Sequence, residues 1–277
     1  MKTRQRTSVE DLVQMLDSEI SNIYSSDDYK RYLNAMSNFH TYSLNNLMLI
    51  TRQKSDATLI AGYRTWRDKF NRQVKRNEKA IYILAPKIRK IKNSDSDDDD
   101  FESAIVGYYA VPVFDISQTI GDDLPTISTP RLLISSVSNY SDFMDAITAI
   151  AKFNISFEAL EGDKYGYFSN SSGIVIRKGM SESQTIKTAI HELAHSILHS
   201  TETSMLKSRE IKEAEAESVA YVVCTHFGID TSDYSFSYIT GWLSDWATFK
   251  NLLFTVQETA ANIISALEDN LKEVNVA

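Results

Sequence analysis

Apolar residues at helical spacing predict that the first part of the chain is mainly α-helical. Over residues 8–24 they recur every three or four positions, and Ser8 is placed to cap the start of this helix. The same spacing predicts shorter helices over 28–36, 43–53 and 63–70. A helical N-terminal part is therefore expected.

From residue 74 the pattern changes to the alternation that is typical of β-strands. Residues 74–84 are predicted to form two strands joined by a turn at 76–79, and alternation resumes over 104–114. Residues 93–100 contain no apolar side chain, so we predict a solvated acidic loop there. The stretch 115–130 contains one glycine and two prolines and is predicted to be a linker.

The second half of the chain predicts short strands followed by two long helices, over 181–199 and from 210 to 224. The other predicted elements are a helix over 141–151, strands over 155–157, 166–168 and 173–177, and a terminal helix over 251–274. We therefore predict an α+β protein with two domains. Their predicted bounds are 1–118 and 132–277, with a linker over 119–131.

The segment HELAH at 191–195 carries the clearest chemistry in the chain. It matches H-E-x-x-H, and residues four apart lie on one face of a helix, so His191 and His195 can bind the same ion. Glu192 can act as a general base toward a water at the open coordination position. Apolar residues on the same helix place it in a core, which argues against two merely surface-exposed histidines. We predict a Zn²⁺ site with Glu192 as the catalytic residue.

A third metal ligand is expected from the next helix, which carries several glutamates. Glu213 and Glu217 share one face of that helix, whereas Glu215 points elsewhere. A ligand glutamate followed four residues later by a carboxylate is the gluzincin arrangement, in which the second acid orients a ligand histidine. We predict Glu213 as the ligand and Glu217 as the orienting acid, with Glu215 as the alternative ligand; the other possibility is that these glutamates are solvated. His199 is predicted either to end the helix or to contact a metal ligand without binding the metal itself.

The net charge of −8 hides an uneven distribution of charged residues. Residues 1–92 carry a net charge of +9 and the rest −17, and the segment 52–92 holds 13 basic residues against 3 acidic ones. This division predicts a basic module joined to an acidic one. Basic residues around the turn can follow a phosphate backbone, and interleaved aromatic rings can stack on bases.

The predicted DNA-binding residues are Tyr63, Arg64, Trp66, Lys69, Arg72, Lys75, Arg76 and Lys79. The alternative is that the basic residues form a solvated face. For Trp66 alone, we favour burial in a core.

Composition limits the disulfides, membrane spans and signal peptides that can be expected. The single cysteine, Cys224, excludes an intramolecular disulfide, fits a reducing cytoplasm and is expected to be buried. No stretch approaches the roughly 20 apolar residues of a membrane-spanning helix, and the N-terminus lacks the apolar core of a signal peptide. We therefore expect a cytoplasmic protein without a membrane partner.

Three spaced blocks stand out in the N-terminal part of the chain: YSLNNLMLI at 42–50, AGYRTW at 61–66 and QVKRNEKAIYILAP at 73–86. They resemble segments of ArdC-type antirestriction proteins and their LtrC-like relatives on conjugative elements. The HELAH region resembles the metallopeptidase half of the same proteins, which is related to the ImmA/IrrE group. The resemblance implies an N-terminal module that binds single-stranded DNA and a C-terminal zinc metallopeptidase-like domain.

The turn at 76–79 departs from the family pattern, because Asn77 and Ala80 stand where two glycines are usual. Asparagine tolerates positive φ, so the turn is expected to survive. The main functional hypothesis is an antirestriction-type protein of a mobile element that binds single-stranded DNA. The alternative is an active, site-specific zinc peptidase that cleaves a regulatory or restriction protein. A third possibility is a non-catalytic protein in which the metal only stabilises the fold.

Overall fold

The chain divides into two compact units in the computed structural model, which describes residues 7–20, 26–92, 101–124, 137–201, 207–234, 236 and 246–274. Unit 1 comprises Met1–Tyr24 and Asn45–Leu124, and unit 2 comprises Ser25–Leu44 and Pro125–Ala277. Both combine helices with small sheets, which confirms the predicted α+β class. None of the helices in the described ranges has the length and apolar character needed to span a membrane.

Unit 1 contains a three-stranded antiparallel sheet in the order β1-β4-β3 and a two-stranded antiparallel sheet of β2 and β5. Its helices are α1 (Val9–Ile20), α3 (Leu44–Gln53, of which Leu44 is grouped with unit 2) and α4 (Tyr63–Phe70), with a 3-10 turn at Ile116–Gln118. Its strands are β1 (Ile60–Gly62), β2 (Arg72–Val74), β3 (Ile81–Lys92), β4 (Phe101–Asp115) and β5 (Thr119–Gly121).

Helix α3 is fixed to β3 by two side-chain amides that imitate a neighbouring strand. Asn46 accepts from the backbone N–H of Leu84 at 2.8 Å and donates to its carbonyl at 2.9 Å. Gln53 makes the same pair of bonds with Tyr82, at 2.9 and 2.8 Å. These bonds satisfy the free edge of β3, where unpaired backbone groups would otherwise be costly.

Two predictions for unit 1 need correction. The strands predicted over 74–84 exist and a turn joins them, but they lie in different sheets, because β2 pairs with β5 and β3 with β4. The predicted linker begins too early, since residues 116–121 form the 3-10 turn and β5. The buried carboxylate of Asp115 anchors this part by accepting backbone N–H bonds from Thr58, Leu59 and Ser117.

Unit 2 is built from helices around a small sheet in the order β6-β8-β7, with β6 parallel and β7 antiparallel to β8. Its helices are α2 (Ser26–Asn38), α5 (Val137–Ile150), α6 (Glu182–Leu198), α7 (Arg209–His226) and α8 (Trp246–Val274). Its strands are β6 (Ile155–Glu158), β7 (Gly166–Ser169) and β8 (Gly173–Arg177). Ser181 and Ser208 cap α6 and α7, which explains why both helices begin where their apolar patterns predict.

Helix α2 belongs to unit 2, although the predicted domain boundary at 118 would place it in the first domain. Its Tyr29 hydroxyl lies 2.7 Å from the Ser218 hydroxyl, and Tyr221 donates to the Asn34 side chain at 2.8 Å. His226 donates from Nδ1 to the Ser37 carbonyl at 2.7 Å. These bonds hold α2 against α7.

Some predictions fall outside the described residues. The end of the first helix, beyond Ile20, and the acidic loop at 93–100 are among them, as is the later part of the predicted linker. The bounds of the other predicted helices and strands agree with the observed ones to within three residues, with three exceptions. Helix α5 begins at Val137, four residues before its predicted start, β3 continues to Lys92, and the terminal helix begins at Trp246.

Candidate functional site

Helix α6 places His191 and His195 one turn apart, with their rings directed at the same point. Their Nε2 atoms lie 3.1 Å apart. The opposite side of the helix is buried, with Ile190, Leu193 and Ala194 fully excluded from solvent. The apolar face therefore fixes the helix so that both imidazoles border a cleft.

Helix α7 supplies a third donor to the same point. Oε2 of Glu213 lies 3.5 Å from Nε2 of His191 and 3.6 Å from Nε2 of His195. The neighbouring His191 imidazole holds the pKa of the Glu213 carboxyl well below its usual range, so it is ionised. Among the described residues, these three are the group whose ligand atoms could hold one metal ion.

The spacing of the three donors fits a divalent metal ion. Tetrahedral zinc sites have Zn–N and Zn–O bonds of about 2.0–2.2 Å, which implies donor separations of roughly 3.3–3.6 Å. The observed separations of 3.1, 3.5 and 3.6 Å are close to these values. The structure thus brings together all three residues that the sequence predicted as ligands.

Glu192 lies beside this cluster and is only 7% exposed. Burial raises its pKa to about 7, with the charge of Glu213 adding to the effect and His191 opposing it. A carboxyl with this pKa exchanges a proton near neutral pH, which is what a general base requires. The predicted role of Glu192 is compatible with its position and its environment.

Glu215, the alternative ligand, does not face the metal cluster. Its carboxylate is buried and lies 2.9 Å from Nε2 of His199, while Lys207 Nζ approaches its two oxygens at 2.6 and 2.8 Å. Burial alone would raise the pKa of Glu215, but the bonds from His199 and Lys207 hold it below its usual range. His199 in turn lies 2.9 Å from Nδ1 of His195, through its own Nδ1. Glu215 therefore supports a ligand histidine through His199.

The cluster opens into a cleft of about 900 Å³ formed by β7, α6 and α7 with part of the chain after α7. Glu217, the predicted orienting acid, lines this cleft, and so does Tyr234. Burial and nearby carboxylates raise the pKa of Tyr234, so its hydroxyl remains a neutral hydrogen-bond donor.

Unit 1 presents most of the predicted DNA-binding residues at its surface. Tyr63 is 51% exposed. The exposed basic residues of the set are Arg64, Lys69, Lys75, Arg76 and Lys79. Asn77, in the turn between them, has φ of 69°, so this asparagine adopts the positive φ that it was expected to tolerate.

Two of the predicted DNA-binding residues have structural roles instead. Trp66 is completely buried and donates from Nε1 to the Phe114 carbonyl at 2.8 Å. The prediction that Trp66 binds DNA was therefore wrong, and the alternative prediction that it lies in a core is correct. Arg72 donates to the Thr119 hydroxyl at 2.8 Å and to the carbonyls of Gly121 and Asp122. Its guanidinium joins β2 to β5 and is largely occupied.

An exposed surface on the outer half of the β3–β4 hairpin was not predicted from the sequence. Tyr108 and Tyr109 are 50% and 46% exposed, and the cross-strand pair Ile88 and Ile105 are 61% and 58% exposed. The exposed basic residues beside them are Lys87, Arg89 and Lys90. The alternation of apolar and basic residues in KIRKIK at 87–92 was the available signal, but it lies beyond the predicted end of the strand at residue 84.

Two parts of the chain each match the model of a known protein family. Residues 10–114 match the family model of the N-terminal domain of anti-restriction factor ArdC, and residues 148–226 match that of the IrrE N-terminal-like domain. The chain therefore combines an ArdC-type N-terminal domain with an IrrE-like peptidase domain, as its sequence blocks indicated.

The fold is similar to that of solved ArdC structures. The Mn(II)-bound structure of antirestriction protein ArdC from plasmid R388 aligns with a TM-score of 0.54 at 18% identity, covering 94% of this chain and 97% of that one. The metal-free structure aligns with a TM-score of 0.52 at 18% identity, covering 84% and 86%. At this identity the likeness concerns the fold.

An uncharacterized protein of Bacillus anthracis is 27% identical over 320 aligned residues, which include 99% of this chain. The chain spans 54% of the length of that relative.

Proposed function

We propose that this protein is an antirestriction-type protein of a mobile element, which binds single-stranded DNA through unit 1 and holds a zinc ion in unit 2. The proposal of DNA binding is supported by the residues at the surface of unit 1. Within the described part of the chain, Lys69, Arg76 and Lys79 have no carboxylate at ion-pair distance. Cations that are not neutralised by the protein are available to phosphates.

Exposed aromatic rings make the surface suitable for single strands rather than duplexes. Tyr63 is followed directly by the exposed Arg64, and Tyr108 and Tyr109 lie beside the basic residues of the hairpin. Unstacked bases can pack against such rings without sequence preference, whereas the bases of a duplex are already stacked. A protein with these surfaces could cover an incoming single strand.

The test of DNA binding is fluorescence anisotropy with labelled single-stranded and duplex oligonucleotides at several salt concentrations. We expect tighter single-strand binding that weakens steeply with salt, and a shallower salt dependence in the triple variant K69A/R76A/K79A. The variant K152A/K178A/K250A removes the same charge from exposed positions of unit 2 and is the matched control. Absence of binding at low salt, or an equal loss in both triple variants, would refute the proposal.

For unit 2, the observation that carries the proposal is the convergence of His191, His195 and Glu213 on one point. Two imidazoles and one carboxylate are the donor set of many catalytic zinc sites, whereas Mn²⁺ prefers sites richer in oxygen. A bound zinc ion would supply a Lewis acid that polarises a substrate carbonyl and promotes deprotonation of a water. These three residues would hold the ion from two adjacent helices and leave the cleft side open.

A second candidate function is peptide hydrolysis at this centre, and the environment of Glu192 favours it. Its carboxylate would take the proton of the attacking water and then transfer it to the leaving amine, which its pKa of about 7 suits. Tyr234 is placed in the same cleft as a neutral donor. The substrate would be a protein, such as a regulatory or restriction subunit.

Glu192→Gln tests this second candidate separately from DNA binding. If the protein is a peptidase, the substitution abolishes cleavage in a proteome-wide search for new termini, while zinc and single-stranded DNA still bind. If the wild type produces no new termini that Glu192→Gln lacks, hydrolysis is refuted and the metal-binding and DNA-binding proposals stand.

A further inference from the structure

Behind the metal cluster, four side chains form a continuous line of hydrogen bonds that ends at a ligand. Lys207 Nζ contacts both oxygens of Glu215, at 2.6 and 2.8 Å. Oε2 of Glu215 lies 2.9 Å from Nε2 of His199, and Nδ1 of His199 lies 2.9 Å from Nδ1 of His195. Nε2 of His195 then faces His191 and Glu213.

The partners along this line determine which nitrogen of each ring carries its proton. An ammonium group only donates, so Lys207 requires Glu215 to be an acceptor carboxylate. That carboxylate accepts from His199, which places the proton of the neutral His199 ring on Nε2. Nδ1 of His199 is then a lone pair, and it can only accept.

The tautomer of His199 determines that of His195. Because Nδ1 of His199 accepts, His195 must donate from its own Nδ1. Its Nε2 therefore carries a lone pair, and this lone pair points at Glu213 and His191, where a metal ion would bind. The line sets the one tautomer of His195 that can be a ligand through Nε2.

We propose that Lys207, Glu215 and His199 are positioning residues, which fix His195 as the Nδ1–H tautomer with Nε2 free for the metal. This inference rests on the metal site of the proposed function and adds to it. Glu217, which the gluzincin pattern predicted as the orienting acid, is not needed for this role at His195. The orienting acid here is Glu215, which acts through a second histidine.

Burial makes the arrangement effective. The side chains of His199 and Glu215 are 5% and 3% exposed, so water cannot readily replace either partner. The line also joins the C-terminal end of α6 to α7 and to Lys207, which precedes α7. It therefore fixes the orientation of the His195 ring as well as its proton.

Glu215→Gln is the decisive substitution, because it keeps the size of the side chain and reverses its hydrogen bonding. The glutamine amide can donate to Nε2 of His199, which allows His199 to donate from Nδ1. His195 Nδ1 would then accept, and its proton would move to Nε2, where it blocks the metal. We expect zinc affinity to fall by about 10- to 100-fold, the usual effect of losing such a partner.

Two substitutions of His199 separate the hydrogen bond from packing. His199→Phe keeps a ring but removes the acceptor, and we expect a loss similar to that of Glu215→Gln. His199→Asn offers a side-chain oxygen near the position of Nδ1, so it should recover part of the affinity. Glu258→Gln changes an exposed glutamate on α8 and is the matched control, with an affinity equal to that of the wild type.

The tautomer itself can be read by ¹⁵N NMR of histidine-labelled full-length protein, with and without zinc. The expected result for the metal-free wild type is His195 protonated at Nδ1 and His199 at Nε2, with both reversed in Glu215→Gln. His195 protonated at Nε2 in the wild type, or unchanged zinc affinity in a folded Glu215→Gln protein, would overturn the proposal. Because the NMR measurement is made without metal, it tests the line of hydrogen bonds separately. The test remains valid even if the wild type does not bind zinc and the proposed function is wrong.

Discussion

Gly166 of β7 lies directly against the side chain of Glu192 on α6. A Cβ atom at position 166 would be 3.2 Å from Cγ of Glu192, 2.7 Å from Cγ2 of Thr188 and 2.9 Å from the Val175 carbonyl oxygen. The glycine therefore lets the strand approach the helix closely enough to exclude water from one side of the Glu192 carboxyl. This contact explains part of the burial that raises the pKa of Glu192.

Gly166→Ala should therefore disturb the site without touching any metal ligand. We expect a loss of about 1–3 kcal/mol in the free energy of unfolding, because the methyl group overpacks the strand–helix contact. Adding Thr188→Ser removes the closest clashing atom and should restore part of the loss. Chemical denaturation of the two variants measures this, and unchanged stability in Gly166→Ala would show that the contact is looser than described.

The raised pKa of Glu192 predicts a pH-dependent stability in chelator-treated protein. Its carboxyl has a pKa of about 7 in the native state against an ordinary value of 4.5. Below pH 4.5 it is protonated in both states. Between these values the unfolded chain releases its proton and the native state keeps it, so stability falls as the pH rises.

Glu192→Gln removes this penalty. We expect the variant to match the wild type near pH 4 and to be more stable by roughly 2–4 kcal/mol above pH 8. Urea unfolding at several pH values measures the difference. A constant difference across this pH range would contradict the assigned burial of the carboxyl.

The different positions of Trp66 and Tyr109 predict opposite phenotypes. Trp66 is completely buried, so Trp66→Ala should destabilise unit 1 by about 3–5 kcal/mol. Tyr109 is 46% exposed, so Tyr109→Ala should weaken single-strand binding severalfold and leave the unfolding transition almost unchanged. Anisotropy and thermal unfolding on the same samples separate the two effects, and a stability loss in Tyr109→Ala would instead indicate a packing role.

The site residues that lie on the same helix were predictable from the sequence, because helix geometry alone determines how they are placed relative to one another. His191, His195 and Glu192 follow from the spacing of one motif, and the 3.6-residue period puts Glu213 and Glu217 on one face of α7. The choice of Glu213 over Glu215 came from the gluzincin arrangement and not from the period. The start of α6 was also predictable, since Ser181 is a capping residue before an apolar pattern.

Relationships between distant segments were not predictable from these patterns. Glu215 reaches the site through His199, which depends on how α6 and α7 pack. The assignment of α2 to unit 2 depends on Tyr29 meeting Ser218, 189 positions away in sequence. The burial of Trp66 depends in the same way on the Phe114 carbonyl of β4. Local periodicity carries no information about such partners.

The most direct test of the metal centre is a calorimetric zinc titration of the full-length protein, with Glu213→Gln as the comparison. We expect one Zn²⁺ per chain for the wild type and a large loss of affinity in Glu213→Gln, because that carboxylate would be the third donor. Zinc binding that is absent in the wild type, or equally tight in Glu213→Gln, would contradict the assignment of His191, His195 and Glu213 as the metal site.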